Sequence, residues 1–183
     1  PEASALLELY QFTQEYTKTM TKEIGADKAW LEPTLLAGRE QSIIDDYLGL
    51  ITKKIDEWTA NLMSDEVREF VSRQNPPEED NEGLYGLQGA AILFQMVNQQ
   101  VDVAADSGQA GLLAKVVDHA AKAMHSTQTT WLRVLESELK KQREAKSADD
   151  VVGGLVEYVI ALANDQLKSA DYAEVLIGRL EPM

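Results

Sequence analysis

Six apolar residues on one stretch of chain constrain the fold more than any other feature. Ile44, Leu48, Ile51, Ile55, Trp58 and Leu62 recur in steps of 4-3-4-3-4. That spacing keeps one side of an α-helix apolar, and it is the seam of left-handed helix-on-helix packing. A strand would need alternation at every second residue, and no stretch alternates convincingly. The chain is therefore read as all-α, an antiparallel bundle of about five or six long helices. The short connections place sequential helices side by side.

The same reasoning assigns the rest of the chain. The first helix covers Ala3 to Ile24, with Leu6, Tyr10, Thr13, Tyr16, Met20 and Ile24 as its stripe and Gly25 as its end. In the connector 25–39, punctuated by Pro33 and Gly38, Trp30, Leu35 and Leu36 are expected to plug onto the core. The second helix runs from Glu40 to Arg73. Extending its seam reaches Asp65 and Glu69, and the apolar stripe resumes at Met63, Val67 and Phe70. Ser64 followed by Asp65 and Glu66 resembles a fresh N-cap, so a kink or short break is expected at 63–65. Pro76-Pro77 bars further helix.

The third helix, Leu87 to Asp106, carries Ile92, Leu93, Phe94, Met96, Val97, Val101 and Val103 around much of its girth and is expected to be central and buried. The fourth runs from Gly111 to Arg143 on a stripe from Leu112 through Val116, Ala120 and Trp131. After the polar loop 144–150, Ser147 to Asp150 looks like a helix start. A fifth helix over Val151 to Lys168 and a short sixth over Asp171 to Leu180 complete the chain, read as a single bundle segment, 1–183, excised from a longer rod-like subunit. Its longest apolar run, Val151 to Ala163, falls short of the roughly 20 residues that span a bilayer.

Charge narrows the partners. Lys plus Arg number 17 against 31 Asp plus Glu, a net charge of −14. Such a field opposes nucleic acid and anionic lipid, so neither nucleic-acid binding nor direct membrane insertion is expected. Two charged groups stand out as protein-interface candidates. Glu78, Glu79, Asp80 and Glu82 crowd the loop 74–86, either as a solvated turn pinned by Tyr85 or as a partner contact. Lys140, Lys141 and Arg143 form the densest basic group, either a solvated helix end complementing the helix dipole or a contact patch. The absence of Cys fits a reducing, cytoplasmic setting.

A search for chemistry finds no catalytic, cofactor or metal constellation. His119 and His125 are six residues apart and face different sides of a helix. Ser107 lacks a nucleophile elbow and its preceding strand. Gly153-Gly154 follows two aspartates, which would repel phosphate, and is read as permitting close helix approach. Glu157 is the one carboxylate embedded in a strongly apolar helix and is placed at an edge.

Several stretches carry a resemblance: Trp58-Thr59-Ala60-Asn61-Leu62, Pro77-Glu78 through Gly83-Leu84-Tyr85, Leu93-Phe94-Gln95-Met96-Val97-Asn98-Gln99-Gln100, Gln128 with Trp131, and Gly154-Leu155-Val156-Glu157-Tyr158 running into Ala161 to Leu167. Together they resemble the Sec-six subunits of the exocyst, in their filamentous-fungal form. The resemblance implies a rod of stacked helical bundles with no catalytic motif. It further implies tethering of secretory vesicles at plasma-membrane sites of polarised secretion before SNARE-driven fusion. The implied partners are other exocyst subunits, plasma-membrane SNAREs and a SNARE regulator. Two other readings stand beside it: a generic acidic helical adaptor, and a helical enzyme with a core metal or ligand site.

Overall fold

The computed structural model describes residues 3–80 and 82–182. Within them the chain forms α1 (Ala3–Lys22), α2 (Glu40–Ser72), α3 (Gly89–Asp106), α4 (Ala110–Glu144) and α5 (Leu155–Leu180). A two-stranded antiparallel ladder, β1 (Glu78–Glu79) with β2 (Tyr85–Gly86), sits between α2 and α3. The all-α reading therefore holds. The chain packs as two compact units, one up to Lys54 with Gln100–Asp118, the other Ile55–Gln99 with His119 onward.

In the first unit, Leu7, Tyr10 and Thr13 of α1 are buried, as are Tyr47 and Ile51 of α2, Val101 and Ala104 of α3, and Leu112 and Val116 of α4. The buried line of α1 differs from the expected stripe, since Ile24 and part of Tyr16 face solvent. Beyond Lys22 the last turn widens: Ile24 N–H reaches Thr19 O at 3.2 Å and Ala26 N–H reaches Met20 O at 2.9 Å, around Gly25 at φ 77°. The connector corrects the sequence reading too. Trp30 and Leu35 are exposed and Leu36 is only half-buried. The segment satisfies itself locally instead: Asp27 caps a single 3-10 turn, Thr34 Oγ1 donates to Glu40 Oε1 at 2.5 Å, and Gly38 N–H donates back to Thr34 Oγ1.

The break expected at 63–65 is absent, and α2 is one helix of 33 residues. Tyr47, Ile51, Ile55 and Thr59 are buried at steps of four. Each such step turns the buried line by about 40° on a helix of 3.6 residues per turn. The line thus drifts smoothly onto Met63, Glu66, Val67 and Phe70, leaving Asp65 and Glu69 outside. Asp65 simply pairs with Arg68 at 2.7 Å.

In the second unit, α2, α4 and α5 meet at Phe70, Trp131, Tyr158 and Leu162. The Phe70 ring stands edge-on to Trp131 at 5.3 Å and to Tyr158 at 5.6 Å, an arrangement favoured by the ring quadrupoles. Burying each of these side chains contributes roughly 1.5–3 kcal/mol. Helix α3 is one-sided rather than wrapped: Leu93, Phe94 and Val97 are buried while Ile92 and Val103 are partly exposed. The expected fifth and sixth helices are a single α5, because nothing between Lys168 and Asp171 breaks the backbone ladder. Its start is later than expected. Ser147 to Asp150 makes its capping box on a 3-10 turn, and α5 begins only after Gly154.

Candidate protein-interaction surface

The acidic loop is built, not slack. Pro76-Pro77 ends the helical register and Pro77 is buried. Asp80 then folds the hairpin: its Oδ1 accepts Leu84 N–H at 3.0 Å and Glu82 N–H at 2.9 Å. Those donors hold its carboxyl below the usual range. Gly83, at φ 77°, supplies the left-handed residue the turn requires. Asn164 of α5 donates to Tyr85 O at 2.7 Å, and Gln88 donates to Glu78 Oε2 at 3.3 Å. Of the four acidic candidates, Asp80 is spent on shaping the turn and Glu78 is partly engaged. Glu79 and Glu82 face solvent beside the exposed Leu84.

The basic candidates divide similarly. Lys140 makes an exposed pair with Glu144 at 3.8 Å, and Arg143 is exposed. Lys141 is drawn to Glu138 at 2.5 Å. Glu138 belongs to a buried group that the sequence reading missed. Its Oε2 lies 2.8 Å from Arg73 Nη2, with the two side chains only 3% and 2% exposed. Arg73 also donates Nε to Gly153 O at 3.0 Å, Nη1 to Phe70 O at 2.9 Å and Nη2 to Val152 O at 3.2 Å. Burial pushes the Glu138 carboxyl up, but the hydrogen bonds and charges of Lys141 and Arg73 outweigh it and leave it lowered. The register held the clue, since Glu138 falls seven residues after Trp131 on the buried face of α4.

This group also corrects the reading of the two glycines. Gly154 sits at φ 78° as the N-cap of α5, and Gly153 offers its carbonyl to Arg73. No atom lies within 4 Å of where a Gly153 Cβ would stand, so close helix approach is not their role.

Two further carboxylates were missed where Glu157 was singled out. Glu157 is half-buried at the rim of a cleft with Arg73, Pro76 and Val152. Glu66 of α2 and Asp165 of α5 instead converge on the N-terminus of α3. Asp165 Oδ1 accepts Ala90 N–H at 3.0 Å, and Glu66 accepts from Gly89. Burial, with the charges of Asp165 and Glu69, pushes Glu66 up to about 7. Burial also raises Asp165, against the pull of Ala90 N–H and Lys168. A Cβ on Gly89 would overlap the Glu66 carboxylate, which would have to swing aside and give up its hold on this helix end. These groups clamp a helix end.

His119 Nε2 meets Asp56 Oδ1 at 2.8 Å. Among the described residues, no three His, Asp or Glu side chains gather as a metal site, and no helix is long and apolar enough to cross a membrane.

The sequence profile of exocyst complex component Sec6 matches residues 1–183. The chain belongs to the Sec6 family. Similar relatives include the exocyst complex component SEC6 of Saccharomyces cerevisiae, 35% identical over 98% of this chain and 24% of the relative. The exocyst complex component sec6 of Schizosaccharomyces pombe is 34% identical over 94% of this chain and 23% of its own. The chain thus spans about a quarter of the length of these Sec6 relatives. A crystal structure of the C-terminal domain of the exocyst subunit Sec6p superposes with a TM-score of 0.70 at 38% identity. That match covers 76% of this chain and 38% of the other. The helical fold derived above is therefore shared with a Sec6 domain.

Proposed function

We propose that this chain is a non-catalytic scaffold segment of an exocyst subunit, acting in the tethering of secretory vesicles to the plasma membrane before SNARE-mediated fusion. The observation that carries the reading is the Sec6 match across residues 1–183. The structure supports it with packed helices whose buried polar groups tie helix ends together. Such a body fixes distances between docking points and performs no bond chemistry.

Partners on this reading are other exocyst subunits, plasma-membrane SNAREs and a SNARE regulator. The protein works in the cytoplasm and is recruited to sites of polarised secretion. Glu79 and Glu82 on the pinned hairpin offer a preorganised acidic contact, with Glu78 and Asp80 behind them, and Lys140 and Arg143 offer a basic one. Exposed charges of this kind set encounter rate and partner choice more than raw affinity.

Pull-down of purified exocyst subunits and SNAREs with the full-length subunit, at low and moderate salt, tests the reading. Retention of at least one exocyst subunit, weakening with salt, is expected. No retention of any of them at high protein concentration overturns it.

A further inference from the structure

Helix α5 has a second apolar side that none of the described residues covers. Val156 is 69% exposed, Ile160 45% and Leu167 66%, and Ala163 between them is also exposed. The steps are 4-3-4, which at 100° per residue keeps all four within about 60° of arc over three turns. That is a packing seam, with Ala163 as its shallow point. The buried side of α5 lies elsewhere, at Tyr158, Ala161, Leu162, Asp165 and Leu176. The helix is therefore apolar on two faces, the pattern of a helix between two neighbours. Beyond Leu167 the seam line continues onto Asp171 and Glu174, both exposed.

We propose that this seam is the docking site for another helix of the same Sec6-family polypeptide, outside these 183 residues. The inference rests on the exocyst-subunit reading above, and two observations select the occupant. The Sec6 relatives are about four times as long as the matched region, and the solved Sec6p domain extends well past the 38% that this chain covers. Further chain of the same domain is thus available in the relatives, at the high effective concentration that covalent linkage provides. A second copy of this chain is a poorer fit. A seam of three turns, about 16 Å long, falls short of the roughly 1,200 Å² or more that a stable dimer buries. A parallel copy would also set Asp171 and Glu174 against themselves. The occupant is an amphipathic helix with its own apolar stripe and a Lys or Arg opposite Asp171 and Glu174.

Thiol labelling tests this, because the 183-residue chain has no cysteine of its own. Val156→Cys and Leu167→Cys are made in the 183-residue chain and in the full-length subunit. Maleimide rates are read by peptide mass spectrometry and normalised to the rate in denaturant. Fast labelling is expected in the short chain, with labelling slowed about tenfold or more in the full-length subunit alone. Equal rates in both overturn the proposal. Protection that grows with concentration in the short chain assigns the seam to a second copy, and protection only in the assembled complex assigns it to another subunit; either overturns it. As a second reading, Leu167→Lys leaves the melting temperature of the short chain unchanged but exposes α5 of the full-length subunit to protease. An unchanged cleavage pattern counts against the seam. If the subunit retains its exocyst partners while both cysteines label freely, only this inference fails. If no exocyst partner is retained, the function proposed above fails whatever the labelling shows.

Discussion

Arg73 and Glu138 meet at 2.8 Å with both side chains almost wholly removed from water. Glu138 is the countercharge of Arg73, while Glu138 is shared between Arg73 and the more exposed Lys141. Removing Glu138 leaves the buried Arg73 cation without its countercharge, and removing Arg73 leaves the buried Glu138 held by Lys141 alone. Arg73→Met or Glu138→Leu alone is expected to cost about 3–5 kcal/mol, and the double substitution much less than the sum. Urea unfolding of the four proteins measures the coupling. Additive losses would show that the pair does not act as a unit.

The carboxyl of Glu66 gives a pH dependence of opposite sense to that of an ordinary paired carboxylate. It is held at about 7 in the folded chain against 4.5 for a free glutamate. Between those values the folded state binds more protons than the unfolded one, so stability falls as pH rises through the window. The full span corresponds to about 3 kcal/mol, with Asp165 adding in the same direction. Glu66→Gln keeps an acceptor for Gly89 N–H without the charge. It is expected to flatten the profile from pH 5 to 8 and to raise the melting temperature at pH 8. A wild-type profile that rises with pH across this range would contradict the assignment.

Adjacent glycines should answer differently to the same change. Gly154→Ala forces a side chain into a left-handed conformation at φ 78° and is expected to cost about 1–2 kcal/mol. Gly153→Ala meets open space and is expected to be neutral or slightly stabilising, through lower entropy of the unfolded chain. Thermal denaturation separates the two, and equal losses would refute the distinction.

On the hairpin, Glu79→Lys with Glu82→Lys should leave the melting temperature unchanged, since neither side chain shapes the turn. Stopped-flow association with an exocyst subunit is expected to slow at low salt and to match wild type at high salt. Asp80→Ala should instead loosen the hairpin and raise hydrogen exchange at Glu82 and Leu84. An unchanged rate for the double lysine protein at low salt would remove the hairpin from the contact.

Helix positions were legible because apolar spacing depends only on the chain's own periodicity. The seam through Ile51 and Ile55 and the stripe through Val116 and Trp131 needed no knowledge of neighbours. Breaks were read less well. Ser64-Asp65 resembles a helix start, and a gap was expected between Lys168 and Asp171, yet a helix continues past such residues wherever its drifting face still meets a partner. Trp30 was assigned to the core on its apolarity alone, but the connector's local hydrogen bonds hold it outside. Buried charges were the hardest to see. Glu138 and Asp165 sit on lines of buried residues, and composition gives no warning that a partner waits 65 or 75 residues away.

The guanidinium of Arg73 has a consequence for synthesis. It takes acceptors from Val152 and Gly153, which emerge from a ribosome some 80 residues after it. For all that time the cation has no dry place to go, and closing so long a loop is slow. The end of α2 is therefore among the last parts of the second unit to lock. A nascent chain stalled before residue 150 would present its Phe70 patch to chaperones.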